Sequence, residues 1–319
     1  METLKYTLKK AALAGITNDV TEKQYRRHIC YFATWAKQTH QIRLASDVLD
    51  SCTLLQDYAN DLTKMGYSPD TIHSYLAPIA KGLGIPLSSI DKPKRSASMI
   101  KKTRNPEANE QGQRELDDVR HTRLVEAAKV IGVRRDELAS LTGDCLVRDY
   151  AGNLCVLVRS GKGGKRQMQR ILPKDEAFVM GLFSGIAPRQ RVFGRNELKN
   201  KIPLHALRRN HAQEAYDYYL HQVQTGHRQE LIDDIKAYFA AYHAKMPGAA
   251  GERHLAKQFS RFCQDLSKGK GLYRLRGENL HRAKRAGRPV VYDRVALMAT
   301  SVFHLAHWRN DVTVRNYMI

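Results

Sequence analysis

Residues 153–173, NLCVLVRSGKGGKRQMQRILP, break the pattern of the chain on either side of them. Residues 153–160 (NLCVLVRS) and 167–173 (QMQRILP) read as two strands, and GKGGKR between them is a glycine-rich turn of hairpin type. Before the hairpin, Leu116, Leu124, Ala127, Ala128, Ile131, Val133 and Leu141 keep a helical period. After it, helical patterning returns over 206–224, 228–245, 252–267 and 290–305, broken by MPGAAG (246–251) and KGKG (268–271). A small antiparallel sheet set among helices predicts an α+β domain.

The first hundred residues lack such a break and read as an all-helical module. Tyr25, Ile29, Phe32, Ala33 and Ala36 form one stripe on a helix over 21–38 that begins with a capping Thr. A second helix over 52–64 turns Leu54, Leu55, Tyr58 and Leu62 inward and ends at Gly66. A third opens at Ser68-Pro69-Asp70, with Ser68 as cap and Pro69 in the first turn, and stops at GLGIP (82–86). Residues 91–114 are rich in Lys, Arg, Ser, Asn and Gln, which predicts a flexible basic linker able to track a phosphate backbone. The expected fold is mainly α with a small antiparallel β-sheet.

The chain has 319 residues, enough for two ordinary domains with a buried core. Its 53 Lys and Arg against 32 Asp and Glu give a formal charge of +21, so a polyanion is the expected partner. The excess is spread, +7 over residues 1–104 and +14 beyond, which suits a protein wrapped around its ligand better than one with a basic tail. Cys30, Cys52, Cys145, Cys155 and Cys263 are odd in number and form no metal-spaced cluster, so reduced thiols and no metal are expected. No apolar run approaches the roughly 20 residues of a bilayer span, and METLKYTLKKAALAG lacks an apolar leader core and cleavage site. A cytoplasmic protein without a membrane partner is the expectation.

Four short segments carry chemistry. GVRRDEL (132–138) sets Arg134 and Glu137 one helical turn apart, so that the carboxylate can orient an arginine. HALRRNH (205–211) sets His205 and Arg208 on one helical face, and GKGGKR offers Lys162 or Lys165 at a hairpin tip. The last fifteen residues, LAHWRNDVTVRNYMI, place His307 ten positions before Tyr317. A tyrosine beside two arginines and two histidines suits attack on a phosphodiester, whose developing negative charge needs donors. Each segment alone also reads as an ordinary surface ion pair or solvated turn.

In that order the segments resemble the tyrosine recombinase (phage integrase) family over most of 116–319. The family's G-x-R-x-x-E-L box is matched by GVRRDEL, its hairpin lysine by GKGGKR, its H-x-L-R box by HALR, and its L-G-H and terminal tyrosine by LAH and NY. The resemblance implies an all-α core-binding domain over 1–105, a basic linker to about 114, and an α+β catalytic domain over 115–319, the two clamping duplex DNA. Tyr317 would attack the scissile phosphate to give a 3′-phosphotyrosyl link. Arg134 and Arg208 would hold the non-bridging oxygens, His205 would serve as general base, Lys162 (or Lys165) would protonate the leaving 5′-oxygen, His307 would donate to the phosphate, and Glu137 would support them. No metal, ATP or other cofactor is implied.

The resemblance further implies a homotetramer acting on two DNA sites, with accessory DNA-bending proteins as possible partners, for integration or excision of a mobile element. A catalytically silent DNA-binding accessory protein, a type IB topoisomerase and a telomere resolvase are the competing readings. Lys94, Arg95, Lys101, Lys102, Lys165, Arg166, Arg274 and Arg276 are further candidates for DNA contact. Three features depart from the family pattern. Ala306 replaces the glycine before His307, the chain stops two residues after Tyr317, and 99 residues separate Arg208 from His307. The last implies an insertion, at about 222–290, whose segment 253–288 holds eleven Lys/Arg against two acids. It is read as touching flanking DNA or a partner subunit, or else as a solvated helical excursion. Trp35 and Trp308 are read as packing residues, and His304 as a rival to His307.

Overall fold

The computed structural model describes residues 2–94, 110–162, 165–243 and 250–318. The chain is mainly helical with small antiparallel sheets, and divides into two compact units, Met1–Lys102 and Thr103–Ile319.

The first unit is built from α1 (Leu4–Leu13), α2 (Asp19–His40), α3 (Ser51–Lys64) and α4 (Pro69–Leu83). The three predicted helices are present, with Ser68 capping α4 through its bond from Thr71 N and Pro69 in the first turn. The cap of α2 is Asn18, three residues before the expected Thr21, whose backbone N–H donates to Asn18 instead. Helix α1 is an addition to the expected three, although Thr3 caps it and Leu4, Leu8 and Ala12 recur at the spacing of one helical face. Those side chains join Ile29, Phe32, Leu55, Leu76 and Ile79 in one core. Helices α1 and α4 approach closely at Gly82, where a Cβ would lie 3.1 Å from the Leu8 carbonyl oxygen.

The second unit opens with α5 (Glu110–Leu116), α6 (Thr122–Ile131) and α7 (Arg135–Leu138), followed by β1 (Leu146–Arg148), β2 (Leu154–Val158) and β3 (Gln167–Arg170). The strands pair antiparallel in the order β1-β2-β3, with Val156 opposite Leu146 and Gln169. The predicted hairpin is present, and β1 is an added edge strand. Glu110–Arg114 belong to α5, which corrects the reading of all of 91–114 as linker. Next come α8 (Glu176–Phe183), α9 (Arg195–Leu198), α10 (Leu204–Gln224), α11 (Arg228–Tyr242) and α12 (Ala250–Ser267). The unit closes with β4 (Leu272–Arg274), α13 (Gly277–Arg285), β5 (Val291–Asp293), α14 (Arg294–Ala299), a π-helical turn over Thr300–His304, and α15 (Asn310–Tyr317). The predicted helix over 290–305 is therefore a strand followed by a helix. Asp293 sets the boundary by accepting from Val295 N and Ala296 N as an N-cap.

Helix α10 passes through two cores. Leu204 and Leu207 pack with Leu124, Ile131, Val156, Val179 and Phe193, whereas Ala212, Tyr216 and Tyr219 pack with Ile235, Tyr238, Val302, Phe303 and Trp308. The segment expected to be an insertion belongs to this second core through Leu231, Tyr238, Phe262 and Leu275. It is a packed layer and not a solvated excursion. A buried arginine fastens it to the sheet, because Arg170 on β3 pairs with Asp149 at 2.6 Å and with Asp234 of α11 at 2.5 Å. Trp308, only 1% exposed, sits edge-on to Phe239 and Phe259 and is a packing residue. Among the described residues no helix is long and apolar enough to cross a membrane.

Candidate active site

The site begins where α6 ends. Gly132 takes a left-handed φ of +66°, and a Cβ there would fall 2.2 Å from His211 Cδ2, so a side chain would be both strained and in collision. The turn puts Arg134 in extended backbone (ψ 162°) immediately before α7. Arg134 and Glu137 thus do not share a helical face as their spacing suggested. Glu137 is the third residue of α7 and reaches back, its Oε2 accepting from Arg134 N at 2.8 Å and its Oε1 from Arg134 Nη1 at 2.5 Å. This is half of a capping box, since arginine has no acceptor to complete the other half. Burial pulls the Glu137 pKa upward, but the guanidinium groups of Arg134 and Arg208 outweigh it and hold the carboxyl below its ordinary value.

Arg208 lies on α10 between the two cores and is fully buried. Its fork is occupied on three sides: Nη1 donates to Gly132 O at 2.6 Å, Nη2 to Leu305 O at 2.9 Å, and Nε to the Tyr317 hydroxyl at 3.3 Å. Glu137 Oε2 stands 3.6 Å from Nη1 as its counterion. One side chain therefore ties together segments centred on residues 132, 208, 305 and 317. Tyr317 ends α15 and is nearly buried, its backbone carbonyl accepting from Gln213 Nε2 at 3.1 Å. The next carbonyl, of Met318, accepts from Arg288 Nη1 at 2.8 Å and from the Tyr292 hydroxyl at 3.4 Å.

His307 stacks on the Tyr317 ring at 5.7 Å between centroids. Its imidazole is neutral, because burial, then the charges of Arg208, Arg134, Arg309 and Lys165, push its pKa well below the usual histidine value. Its Nε2 is buried without a partner among the described residues, whereas Nδ1 faces Ser301 Oγ at 3.0 Å. Ala306 has φ +53°, the left-handed region that glycine occupies freely, so an alanine at this position is strained. His304, the rival, is sealed in the core between His211 Nε2 at 3.1 Å and the Tyr219 hydroxyl at 3.0 Å.

Arg134, His205 and Arg208 line one cavity of about 220 Å³ together with Arg135, Ile202, Pro203 and Leu204. His205 is exposed in the first turn of α10. Arg135, which motif reading passed over, braces that wall by donating from Nη1 to Leu198 O and Asn200 Oδ1 and from Nη2 to Ile202 O. The start of the β2–β3 turn comes close to Glu137. Gly161 N donates to Lys165 O, and a Cβ on Gly161 would lie 3.1 Å from Glu137 Oε1. Lys165, at the foot of the turn, is close enough for its charge to act on His307, and Lys162 lies in the same turn. Arg274 and Arg276 do not line the cavity, Lys94 belongs to the first unit, and Arg95, Lys101 and Lys102 lie outside the described residues.

Among the described residues no group of His, Cys, Asp and Glu could hold a metal ion. The donors at the Tyr317 phenol, the Arg208 guanidinium and the His307 ring, together with the Arg134 guanidinium in the cavity that Arg208 also lines, are suited to an oxyanion. No family profile and no curated protein matches the chain. Solved structures do match, among them the crystal structure of XerA recombinase, 18% identical over 66% of this chain and 82% of that one, with a TM-score of 0.24. So loose a likeness transfers neither residues nor activity.

Proposed function

We propose that the chain breaks and rejoins DNA strands through a covalent phosphotyrosyl intermediate formed on Tyr317. The carrying observation is that the buried Arg208 guanidinium touches the Tyr317 hydroxyl while sharing a cavity with Arg134 and His205. In this reading Tyr317 Oη attacks phosphorus and forms the O–P ester as the bond to the 5′-oxygen breaks. The hydroxyl proton passes to His205, and the leaving oxygen takes a proton from Lys165, the hairpin lysine that lies near His307. Arg134 and Arg208 hold the two non-bridging oxygens, for which a planar fork is better shaped than an ammonium. His307 adds a neutral donor, and Glu137 keeps the paired arginines from repelling each other. The ester retains the bond energy, so attack by a 5′-hydroxyl reverses the step with atoms and charge balanced.

The motif order in the sequence supports the finer reading of a tyrosine-type recombinase, with the N-terminal unit as core-binding domain and a homotetramer integrating or excising a mobile element. Incubation with a randomised pool of nicked duplexes, followed by denaturing electrophoresis, tests the chemistry. A protein–DNA adduct is expected for the wild type and none for Tyr317→Phe; an adduct that persists in the Phe variant refutes the nucleophile. Recombinant product between two labelled duplexes carrying the recovered site separates recombination from single-duplex relaxation.

A further inference from the structure

We propose that Ser301 is a positioning residue that fixes His307 as its Nε2–H tautomer, so that the ring offers a hydrogen-bond donor to an oxyanion bound beside Tyr317. His307 is neutral and therefore carries one ring proton. Ser301 is fully buried, and its hydroxyl has one hydrogen to give and two lone pairs to receive. One lone pair is taken by Arg309 N, which donates to Oγ at 2.8 Å. The other contact of Oγ is His307 Nδ1 at 3.0 Å, and among the described residues no other acceptor stands within its reach.

Two arrangements are possible. With the ring proton on Nδ1, the imidazole donates to Oγ, and both the hydroxyl hydrogen and the Nε2 lone pair are left unpaired in the interior. With the proton on Nε2, the hydroxyl donates to Nδ1, and Nε2–H and the second Oγ lone pair remain open. Each arrangement leaves one donor open, but in the first it is the hydroxyl hydrogen of a fully buried serine, whereas in the second it is Nε2–H, which an oxyanion beside Tyr317 can pair, so the second arrangement wins once the oxyanion is bound. The open N–H then lies on the ring edge away from Ser301, on a ring that feels the charges of Arg208, Arg134, Arg309 and Lys165. An entering phosphate oxygen satisfies it.

The backbone corroborates the role. His307 lies between two non-glycine residues in left-handed conformation, Ala306 at φ +53° and Trp308 at φ +55°, a placement L side chains resist. Ser301 holds that loop at both ends of its own residue, since Ser301 O accepts from His307 N at 3.1 Å while Oγ accepts from Arg309 N. Ser301 itself sits in the π-helical turn Thr300–His304, whose wider winding distinguishes it from α14 before it.

The purpose assigned to Ser301 rests on the strand-transfer reading, but the tautomer is observable without DNA, with inorganic phosphate bound as the oxyanion. Nitrogen-15 to ring-proton correlation spectra, with His307→Gln to assign the signals, are expected to show Nδ1 as the unprotonated, pyridine-type nitrogen and Nε2 as the protonated one. Ser301→Ala is expected to give a mixture of tautomers and to slow adduct formation on nicked duplexes by about tenfold or more, the scale on which metal-bound histidines respond to loss of their outer partners. A proton on Nδ1 in the wild type, or an unchanged tautomer in the Ala variant, overturns the proposal. The wild-type spectrum decides the tautomer even if the Ala variant fails to fold. A wild type that shows Nε2–H yet forms no adduct defeats the strand-transfer reading and leaves the Ser301 assignment standing.

Discussion

Glu137→Gln isolates the repulsion that two convergent arginines impose on this fold. Glutamine keeps the volume and retains an oxygen for Arg134 N, but it removes the charge and turns an N–H donor toward either Arg134 or Arg208. Glu137 is 3% exposed, and the side chains of its partners Arg134 and Arg208 are 22% and 0% exposed, so solvent offers little relief. At the 3.6 Å separation from Arg208, an effective dielectric near 20 gives a gross attraction of roughly 5 kcal/mol. The net cost of leaving a buried charge without its partner is about 3–5 kcal/mol. Urea unfolding at pH 7 should register that drop, and thermal unfolding a fall of roughly 2–4 °C per kcal/mol for a unit of this size. Glu230→Gln, at an exposed pair with His227, is the control and should stay within about 0.5 kcal/mol of wild type. The sign of the pH dependence follows from the lowered carboxyl pKa. The stabilisation is complete above the unfolded value of about 4.3 and disappears as pH falls through the folded one, so the gap to the Gln variant closes in acid. A Gln variant within about 1 kcal/mol of wild type at neutral pH, well under the expected cost of about 3–5 kcal/mol, would refute the view that Glu137 holds the arginine pair together.

Arg208→Lys cannot reproduce three N–H bonds in a fixed fork, so nicked-duplex cleavage should fall by about 10²- to 10³-fold, with DNA affinity by gel shift nearly kept. Ala306→Gly removes a left-handed alanine and should stabilise the protein by up to about 1 kcal/mol in urea, the glycine's extra unfolded-state entropy limiting the gain. Burial first, then Arg208, lowers the His211 pKa to about 3, and burial also holds those of His304 and His307 well down. All three stay neutral when folded and protonate when unfolded, so each lowers stability by up to about 1.4 kcal/mol per pH unit once pH drops below roughly 6.5. Unfolding free energies that are flat between pH 7 and 5 would contradict this. Replacing both Arg274 and Arg276 by alanine should make the slope of log affinity against log salt shallower by about 0.9 for each phosphate that the variant no longer neutralises, whereas an unchanged slope means that face is merely solvated.

Much of the fold was legible because its signals are local. Ser68-Pro69 announces the start of α4, and GKGGKR between apolar runs announces the hairpin, each by the backbone preferences of a few residues. What misled was geometry that spacing does not encode. Arg134 and Glu137 look like an i,i+3 helical pair, yet Gly132 breaks the helix and the same spacing serves a capping contact instead. Asp293 had the composition of an N-cap, but the apolar run after Val290 obscured β5. Within the site, the segments carrying Arg134, Arg208 and Tyr317 could be named from sequence, whereas Ser301, Arg135 and Arg288 could not. Their roles depend on which carbonyls and ring nitrogens they meet from residues far away in the chain, and isolated serines and arginines give no periodic sign of that. Only the doubled arginine of GVRRDEL hinted at Arg135, whose guanidinium holds the loop leading to His205.

The basic segment after α10 shows why the site and its surroundings must be perturbed with care. By length alone, residues 226–288 invite deletion as a removable attachment. Their removal would strip Leu231, Ile235, Tyr238 and Phe262 from the second core and leave Val302, Phe303 and Trp308 open to water. It would also take away Asp234, one counterion of the buried Arg170, and Arg288, which holds the carbonyl next to Tyr317. Truncating a single buried aliphatic to alanine already costs about 2–5 kcal/mol, and a domain's whole stability is about 5–15 kcal/mol, so such a deletion unfolds the unit and says nothing about DNA. Charge reversal at Arg274, Arg276 and Lys284 leaves that core in place. Because Arg288 and Tyr292 link this layer to Met318, the same substitutions also ask whether binding at the basic face is felt at the tyrosine. Weaker binding with an unchanged adduct rate at saturating DNA makes the face a docking surface alone, whereas a slower rate at saturation makes it part of how Tyr317 is held.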